Sequence, residues 1–547
     1  MRVKLWHGIL MIVCMSSLAY AQGSDVDRFF SDTDQEAARF GSIEDEMRRE
    51  MDAFYAESAQ EIQSFKDERD RDFAEFLKEK WQAFDEFEGL VKDPTPKPVK
   101  FPKAAKKPDD VIAPLGQTVP PPSTPVLPPP PVVVLPQPEP PVAVVPSQPE
   151  PEPPVIVVPS QPEPEPPVIV VPSQPEPPTD VPQPATIEVA YLGRTLRVVC
   201  DRSLAVTTGA KITNREISAY WEKIGTADFE PMLSSLLTVK EALQLNDWGY
   251  FQFVQEAGEA LHGPGNDAQL FAWFALTKSG YRVRVGYSDN RVFLLAPIDS
   301  LVYQAPYYTL DGTRYYNISY FRDQRKPGKV YTYSKDYPRA ERLLSLKLPL
   351  VPRVGEGHEV RSLHFLYQNK EFTVPVSYNR NALVFYNSYP QTDWAIYFAA
   401  PLATEAEQSL IDGLGKLVAG KSETEAVNML LRFAQTAFEY QTDDEQFGRE
   451  KYMFAEETVA FRYSDCEDRS ILFSYLVTRI VGLDVVGVHF PGHIATAVNF
   501  TEKVEGDAIL VDGKRFVVCD PTYINANIGM MMPQFKAVNP EIIRFKI

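Results

Sequence analysis

Residues 464–500 read SDCEDRSILFSYLVTRIVGLDVVGVHFPGHIATAVNF. After Cys466, residues Ile471, Leu472, Tyr475, Leu476 and Ile480 recur at helical spacing and Gly482 ends the run. That pattern predicts a helix beginning at or near Cys466. The unpaired N–H groups and the dipole at such a helix start favour a thiolate. Asp484 to Phe490 then reads as a strand, Pro491-Gly492 as a turn, and His493 opens a second strand, Ile494 to Phe500. Asp512-Gly513 signals a hairpin into a strand from Arg515 to Cys519, which Asp520-Pro521 ends. Cys466, His493 and Asp520 therefore follow one another at intervals of 27 positions. They stand on three neighbouring elements whose ends can meet at one end of a sheet.

These residue types in this order suit attack on an amide carbonyl. Cys466 is the candidate nucleophile, His493 the base that deprotonates it and then protonates the leaving amine, and Asp520 the group that orients the imidazole. An oxyanion hole would use the Cys466 backbone N–H and one upstream donor, for which Tyr463 and Gln446 are candidates. Each residue also has an ordinary reading: a core cysteine, a satisfied strand histidine, an Asp-Pro turn. Glu467 and Asp468 read as helix-start acids, with site lining as the alternative.

Ser464-Asp-Cys-Glu-Asp-Arg, Gly492-His493 and Cys519-Asp520-Pro521-Thr522 together resemble the transglutaminase-like superfamily, whose fold is papain-like. The resemblance spans roughly residues 403–530. Family members often carry Gly before the Asp-Cys pair, where Ser464 stands here. The resemblance implies a thiol enzyme acting on protein or peptide substrates, either a cysteine peptidase or amidase or an acyl transferase joining Gln to an amine. No calcium-site signature of the animal enzymes stands out, so no metal ligand and no cofactor is assigned. The alternative class is a non-catalytic envelope binding or scaffold protein with a vestigial triad.

Several features compete for attention. Gly415 to Ser422, GKLVAGKS, formally matches a phosphate loop, but Glu405 to Val418 before it reads as helix where that loop needs a strand. Ser422 with Glu425 reads instead as a capping box and Gly420 as a helix C-cap. His489 and His493 have metal-ligand spacing, but Pro491 and Gly492 between them break a helix. Asp267 to Val285 loosely echoes Cys466 to Val488 without Cys or His at the matching places, and reads either as a degenerate duplicate that binds without reacting or as ordinary α+β packing. Cys200 and Cys519 form a candidate disulfide. Asn317 and Asn499 stand in glycosylation sequons.

The remaining organisation follows from composition. Of 49 Pro, 34 lie between Pro94 and Pro184, so that block cannot pack a core. QPEPEPPVIVVP at Gln148 to Pro159 returns at Gln161 to Pro172. This is polyproline II material, read as an extended spacer reaching on the order of 280 Å, with a ligand for aromatic grooves as the alternative. Before it, Phe29, Phe40, Met51, Ile62, Phe73 and Phe84 repeat every eleven residues. A second series, Ile43, Phe54, Phe65, Phe76 and Phe87, follows three residues behind. That period predicts a long, nearly straight helix with one apolar seam. The seam serves self-association, a partner helix or a groove on another protein through residues 29–88, or packs back on the chain's own catalytic part.

Arg2 and Lys4, the apolar stretch Ile9 to Val13, and Ala19-Tyr20-Ala21 read as an export signal cleaved before Gln22, with lipidation at Cys14 as the lesser alternative. The net charge of −19 argues against nucleic-acid binding. The expected architecture is α+β. Residues 1–21 are a signal, 22–93 a charged helix, and 94–186 a Pro-rich spacer. Residues 187–300 are an α+β region, 301–402 a β-rich domain with turns at Asp311-Gly312 and Tyr378-Asn379, and 403–547 the papain-like, transglutaminase-like domain. The mature chain is expected in the periplasm or outside the cell, with no membrane span once the signal is removed.

Overall fold

The computed structural model describes Arg48, Met51 and residues 66–79, 81–84, 185–325 and 328–547. The signal, the spacer and most of the eleven-residue series lie outside these residues. The chain is α+β and divides into two units, one of Met1–Trp81 with Thr208–Asp228, the other of Gln82–Thr207 with Phe229–Ile547.

In the first unit, residues 66–77 form helix α1. Asp70, Phe73, Ala74 and Leu77 are its buried face, the spacing that one side of a helix requires. Its cover is α2 (Asn214–Thr226) of the same chain. Phe73 meets Trp221 edge-on at 4.9 Å, and Ser218 Oγ donates to the Ala74 carbonyl at 2.7 Å. The described part of the seam packs on the chain itself, but on residues 214–226 and not on the C-terminal part expected. The helix also stops short of the expected residue 93. Trp81 Nε1 donates to the Leu77 carbonyl, and β1 (Gln82–Phe84) is a strand. Its backbone groups are taken up by β8 (Val330–Thr332) in antiparallel register, an exchange of local for long-range hydrogen bonds that helical periodicity cannot anticipate.

The second unit begins with a hairpin, β2 (Thr186–Tyr191) and β3 (Arg194–Val199). Helices α3 (Glu230–Ala242), α4 (Asp247–His262) and α5 (Asn266–Lys278) follow. Then come β4 (Arg284–Ser288), β5 (Arg291–Ala296), β6 (Tyr307–Leu310) and β7 (Thr313–Asn317). With β8 and β1 they make one sheet, ordered β1-β8-β4-β5-β7-β6. The boundary expected at residue 300 therefore falls inside a sheet. Asp311-Gly312 is the β6–β7 turn, with φ of 50° and 75°. Asn379 is no turn residue: it ends β10 (Lys370–Asn379), partner of β9 (His358–Tyr367), and caps α6 (Arg380–Asn387) by accepting from the Asn381 N–H at 2.9 Å.

Beyond α7 (Trp394–Ala399) and α8 (Thr404–Leu410), a π-helical turn at Ile411–Gly415 carries Gly413 against β10. A Cβ at Gly413 would lie 2.5 Å from Val374 Cγ1. The phosphate-loop match is thus a helix end, and Ser422 caps α9 (Glu423–Thr436) through the Glu425 N–H at 3.2 Å. Next come β11 (Glu439–Tyr440), α10 (Asp443–Phe447), α11 (Ala455–Ala460), β12 (Tyr463–Ser464) and α12 (Cys466–Leu476). The last sheet holds β13 (Asp484–Phe490), β14 (His493–Asn499), β15 (Ala508–Val511), β16 (Lys514–Cys519) and β17 (Glu541–Ile543), ordered β15-β16-β14-β13-β17.

The two sheets share a plan. In each, a helix leads into a hairpin with a two-residue turn, Asp289-Asn290 in one and Pro491-Gly492 in the other. The second hairpin strand then pairs with the later member of another hairpin, and the first with a later strand, β8 inside one sheet and β17 at the edge of the other. Asn266 and Arg291 open the helix and the second strand of the first copy where Cys466 and His493 open those of the second. Among the described residues, no helix is long and apolar enough to cross a membrane.

Truncating Phe73 to Ala removes the ring that meets Trp221 and is expected to cost about 3–5 kcal/mol. Hydrogen exchange checks it: amides of residues 214–226 should lose protection while those of β13 and β14 keep theirs.

Candidate functional site

Three elements deliver the candidate triad to one place. Cys466 is the first residue of α12 and His493 the first of β14. Pairing of Thr496 with Cys519 brings the residue after β16, Asp520, level with the start of β14. His493 Nε2 and Asp520 Oδ2 lie 2.8 Å apart, and both residues are buried. Asp520 Oδ1 accepts from the Thr522 and Tyr523 N–H groups at 2.9 and 3.0 Å. The carboxylate is thereby fixed in orientation, and the imidazole nitrogen turned away from it is Nδ1. The Ile494 N–H bears on the Cys466 sulfur, and the Ile494 carbonyl accepts from Ser470 Oγ, one helical turn further along α12, at 3.1 Å. The thiol is thus seated against the strand that begins at His493.

The thiol differs from the expected thiolate. Cys466 is completely buried and hydrogen-bonds Glu467 Oε2 at 3.0 Å. Burial first, then the charges of Glu467 and Asp465, push it well above its usual range, against the opposing pull of the Ile494 N–H. The helix start is present, but acidic neighbours outweigh its dipole.

Those neighbours form a cluster. One carboxylate oxygen each from Asp443, Asp465 and Glu467 lies within 4.8 Å of the others, all three residues buried. Burial and then mutual repulsion raise Asp443 and Asp465 well above the carboxylate range. Asp468, buried beside Glu467, is pushed up to about 7, although it accepts from the Met453 N–H at 2.9 Å. Glu467 and Asp468 therefore line the site as well as start the helix. The sequence reading assigned no metal ligand, whereas this oxygen set would suit a hard cation such as Ca²⁺.

Two residues that hold the site went unassigned in the sequence. Arg469, buried, donates to Ser464 Oγ and to the Gln435 and Phe438 carbonyls at 3.0–3.1 Å. Gln435, on α9, donates its amide Nε2 to the carbonyls of Asp520, Tyr523 and Ala526 at 3.0–3.1 Å. Arg469 was visible only as the last letter of the Ser464–Arg469 motif, and Gln435 left no signal.

A third is Tyr440. It pairs with Ser464 in the parallel β11–β12 ladder. Its hydroxyl is buried with no hydrogen-bond partner among the described residues. Burial and then the charge of Cys466, followed by those of Asp465 and Glu467, raise its pKa, which sets the phenol beside the thiol. Of the donors foreseen, Tyr463 lies under the Arg462 guanidinium at 5.2 Å and Gln446 sits on α10.

The other expectations resolve simply. His489 packs its ring on Trp394 at 4.5 Å and meets Glu541 at 3.2 Å, on the strand opposite His493. Cys200, Cys466 and Cys519 are all unpaired and buried, so the candidate disulfide is not formed. Asn317 is wholly buried, out of reach of glycosylation in the folded chain. No family model, no curated protein and no solved structure matches this chain.

A carboxyl whose folded pKa is raised holds its proton longer in the native state. Its stabilising share is complete below about 4 and is lost as pH rises through about 7 for Asp468. Wild type is therefore expected to lose stability relative to Asp468→Asn between pH 5 and pH 8. Paired denaturant titrations at the two pH values measure that difference.

Proposed function

We propose that the C-terminal part of the second unit is a thiol enzyme of transglutaminase-like type acting on amide bonds of protein or peptide substrates. The carrying observation is the buried 2.8 Å His493–Asp520 bond at the start of the strand against which Cys466 is seated. In this reading the Cys466 proton passes to His493 Nδ1 as the sulfur–carbon bond forms. The amine leaves with that proton, and water or a second amine then resolves the thioester. Asp520 stabilises the imidazolium. The Cys466 backbone N–H and the Tyr440 hydroxyl supply the oxyanion donors.

The buried thiol held by Glu467 corresponds to a closed resting state, which substrate must open. The same burial favours the second reading, a binding protein with a vestigial triad. The basic and apolar start of the chain supports export to the periplasm or beyond.

Labelling the intact protein with an amide-mimicking electrophile separates the two readings. Modification of Cys466 at least tenfold faster than of Cys200 and Cys519, lost in His493→Ala, supports the enzyme. Equal rates at the three thiols remove it. Incubation with a Gln peptide, with and without added amine, then divides transfer (joined amine and ammonia) from proteolysis (cut peptide alone). Tyr440→Phe is expected to lower kcat by about 10²–10³-fold with KM little changed, the signature of a lost oxyanion donor.

A further inference from the structure

The Pro-rich block does not separate two bodies. Its preceding strand β1 is paired to β8 and its following strand β2 to β3, and both ends belong to the second unit. Residues 85–185 therefore leave one globular unit and return to it.

That unit carries an aromatic groove of about 240 Å³ whose lining includes Tyr320, Phe321, Tyr389, Pro390, Gln391 and Arg449. Its walls are rigid. Phe321 meets Trp248 edge-on at 5.2 Å, and Tyr389 is held between Phe385 and Phe454 at 5.6 and 5.2 Å. Gln391 is 6% exposed. Its Oε1 accepts from Tyr397, while its Nε2 has no partner among the described residues.

We infer that this groove receives the chain's own proline repeat, QPEPEPPVIVVP at Gln148 to Pro159 or its copy at Gln161 to Pro172. Polyproline II segments dock on aromatic-lined grooves at little entropic cost, and their carbonyls carry no internal hydrogen bonds. The Glu residues of the repeat, Glu150 and Glu152 or Glu163 and Glu165, complement Arg449, which is exposed on the groove. Tethering at both ends makes docking intramolecular. Effective concentrations on the order of millimolar for short linkers, falling with about the −3/2 power of length, let a weak site stay occupied.

The test uses the full-length chain with a photo-crosslinking phenylalanine analogue in place of Gln324, an exposed residue on the groove. Cross-linked peptides are mapped by mass spectrometry. Expected are links to residues 137–178 of the same chain, reduced at least fivefold by Arg449→Glu or by millimolar free repeat peptide, with an unchanged circular dichroism spectrum. Links to a second copy, links only to other segments, or a yield no higher than from the same probe at exposed Val360 overturn the proposal.

Discussion

The candidate site depends on a buried cation. Arg469 projects from α12 into a shell of backbone carbonyls and Ser464 Oγ, and its burial pulls it down to about 10. A guanidinium in such a place persists because its donors are matched by acceptors in a fixed fork geometry. Through the Gln435 carbonyl it ties the thiol's helix to α9. Through the Gln435 side chain α9 grips three carbonyls of the loop beginning at Asp520. Cys466 and Asp520, 54 positions apart, thus share a brace made by two side chains that do no chemistry.

Around this brace the electrostatics pull in two directions. The Asp520 carboxylate is met by two N–H groups and an imidazole, so its charge is well served. On the other side of the thiol, buried acids crowd together, and Asp443, Asp465 and Asp468 hold protons at pH values where surface carboxylates have lost them. In this condition the thiol keeps its proton. Chemistry there requires that the acids be drawn away from the sulfur or neutralised where they stand, and the segment carrying Asp443 to Lys451 is where such movement would begin. The Lys451 N–H already donates to Asp443 at 2.7 Å, so chain and carboxylate would move together.

Much of the C-terminal part was legible because its signals are local. Apolar period, a glycine stop and an Asp-Gly turn placed the start of α12 and the bounds of β13, β14 and β16 within a residue, while β15 was implied only by the turn after it. Cys466, His493 and Asp520 fell at element ends, where the structure also places them. What stayed hidden is non-local. Tyr440 reaches the thiol only because a two-residue parallel ladder pairs it with Ser464. The thiolate expectation failed first because Cys466 is completely buried, a product of long-range packing, and then because Glu467 and Asp465 stand beside it. Strand β1 could not be separated from the preceding helix, because a three-residue pairing with β8 leaves no period of its own. The shared plan of the two sheets was only hinted at by Asp267 to Val285, since sheet order is invisible in one dimension.

That shared plan changes what Cys466 is for. In the first copy the Val292 N–H is accepted by Asn266 Oδ1 at 3.0 Å, the counterpart of the Ile494 N–H directed at the Cys466 sulfur. The second backbone amide of this strand needs an acceptor from the first residue of the helix, whether or not a nucleophile is wanted there. The cysteine therefore fills an architectural seat before it fills a chemical one. Alanine at 466 would leave a buried donor stranded and confuse loss of chemistry with loss of fold. Serine or asparagine keeps the seat occupied, and is the substitution by which the chemistry alone can be silenced.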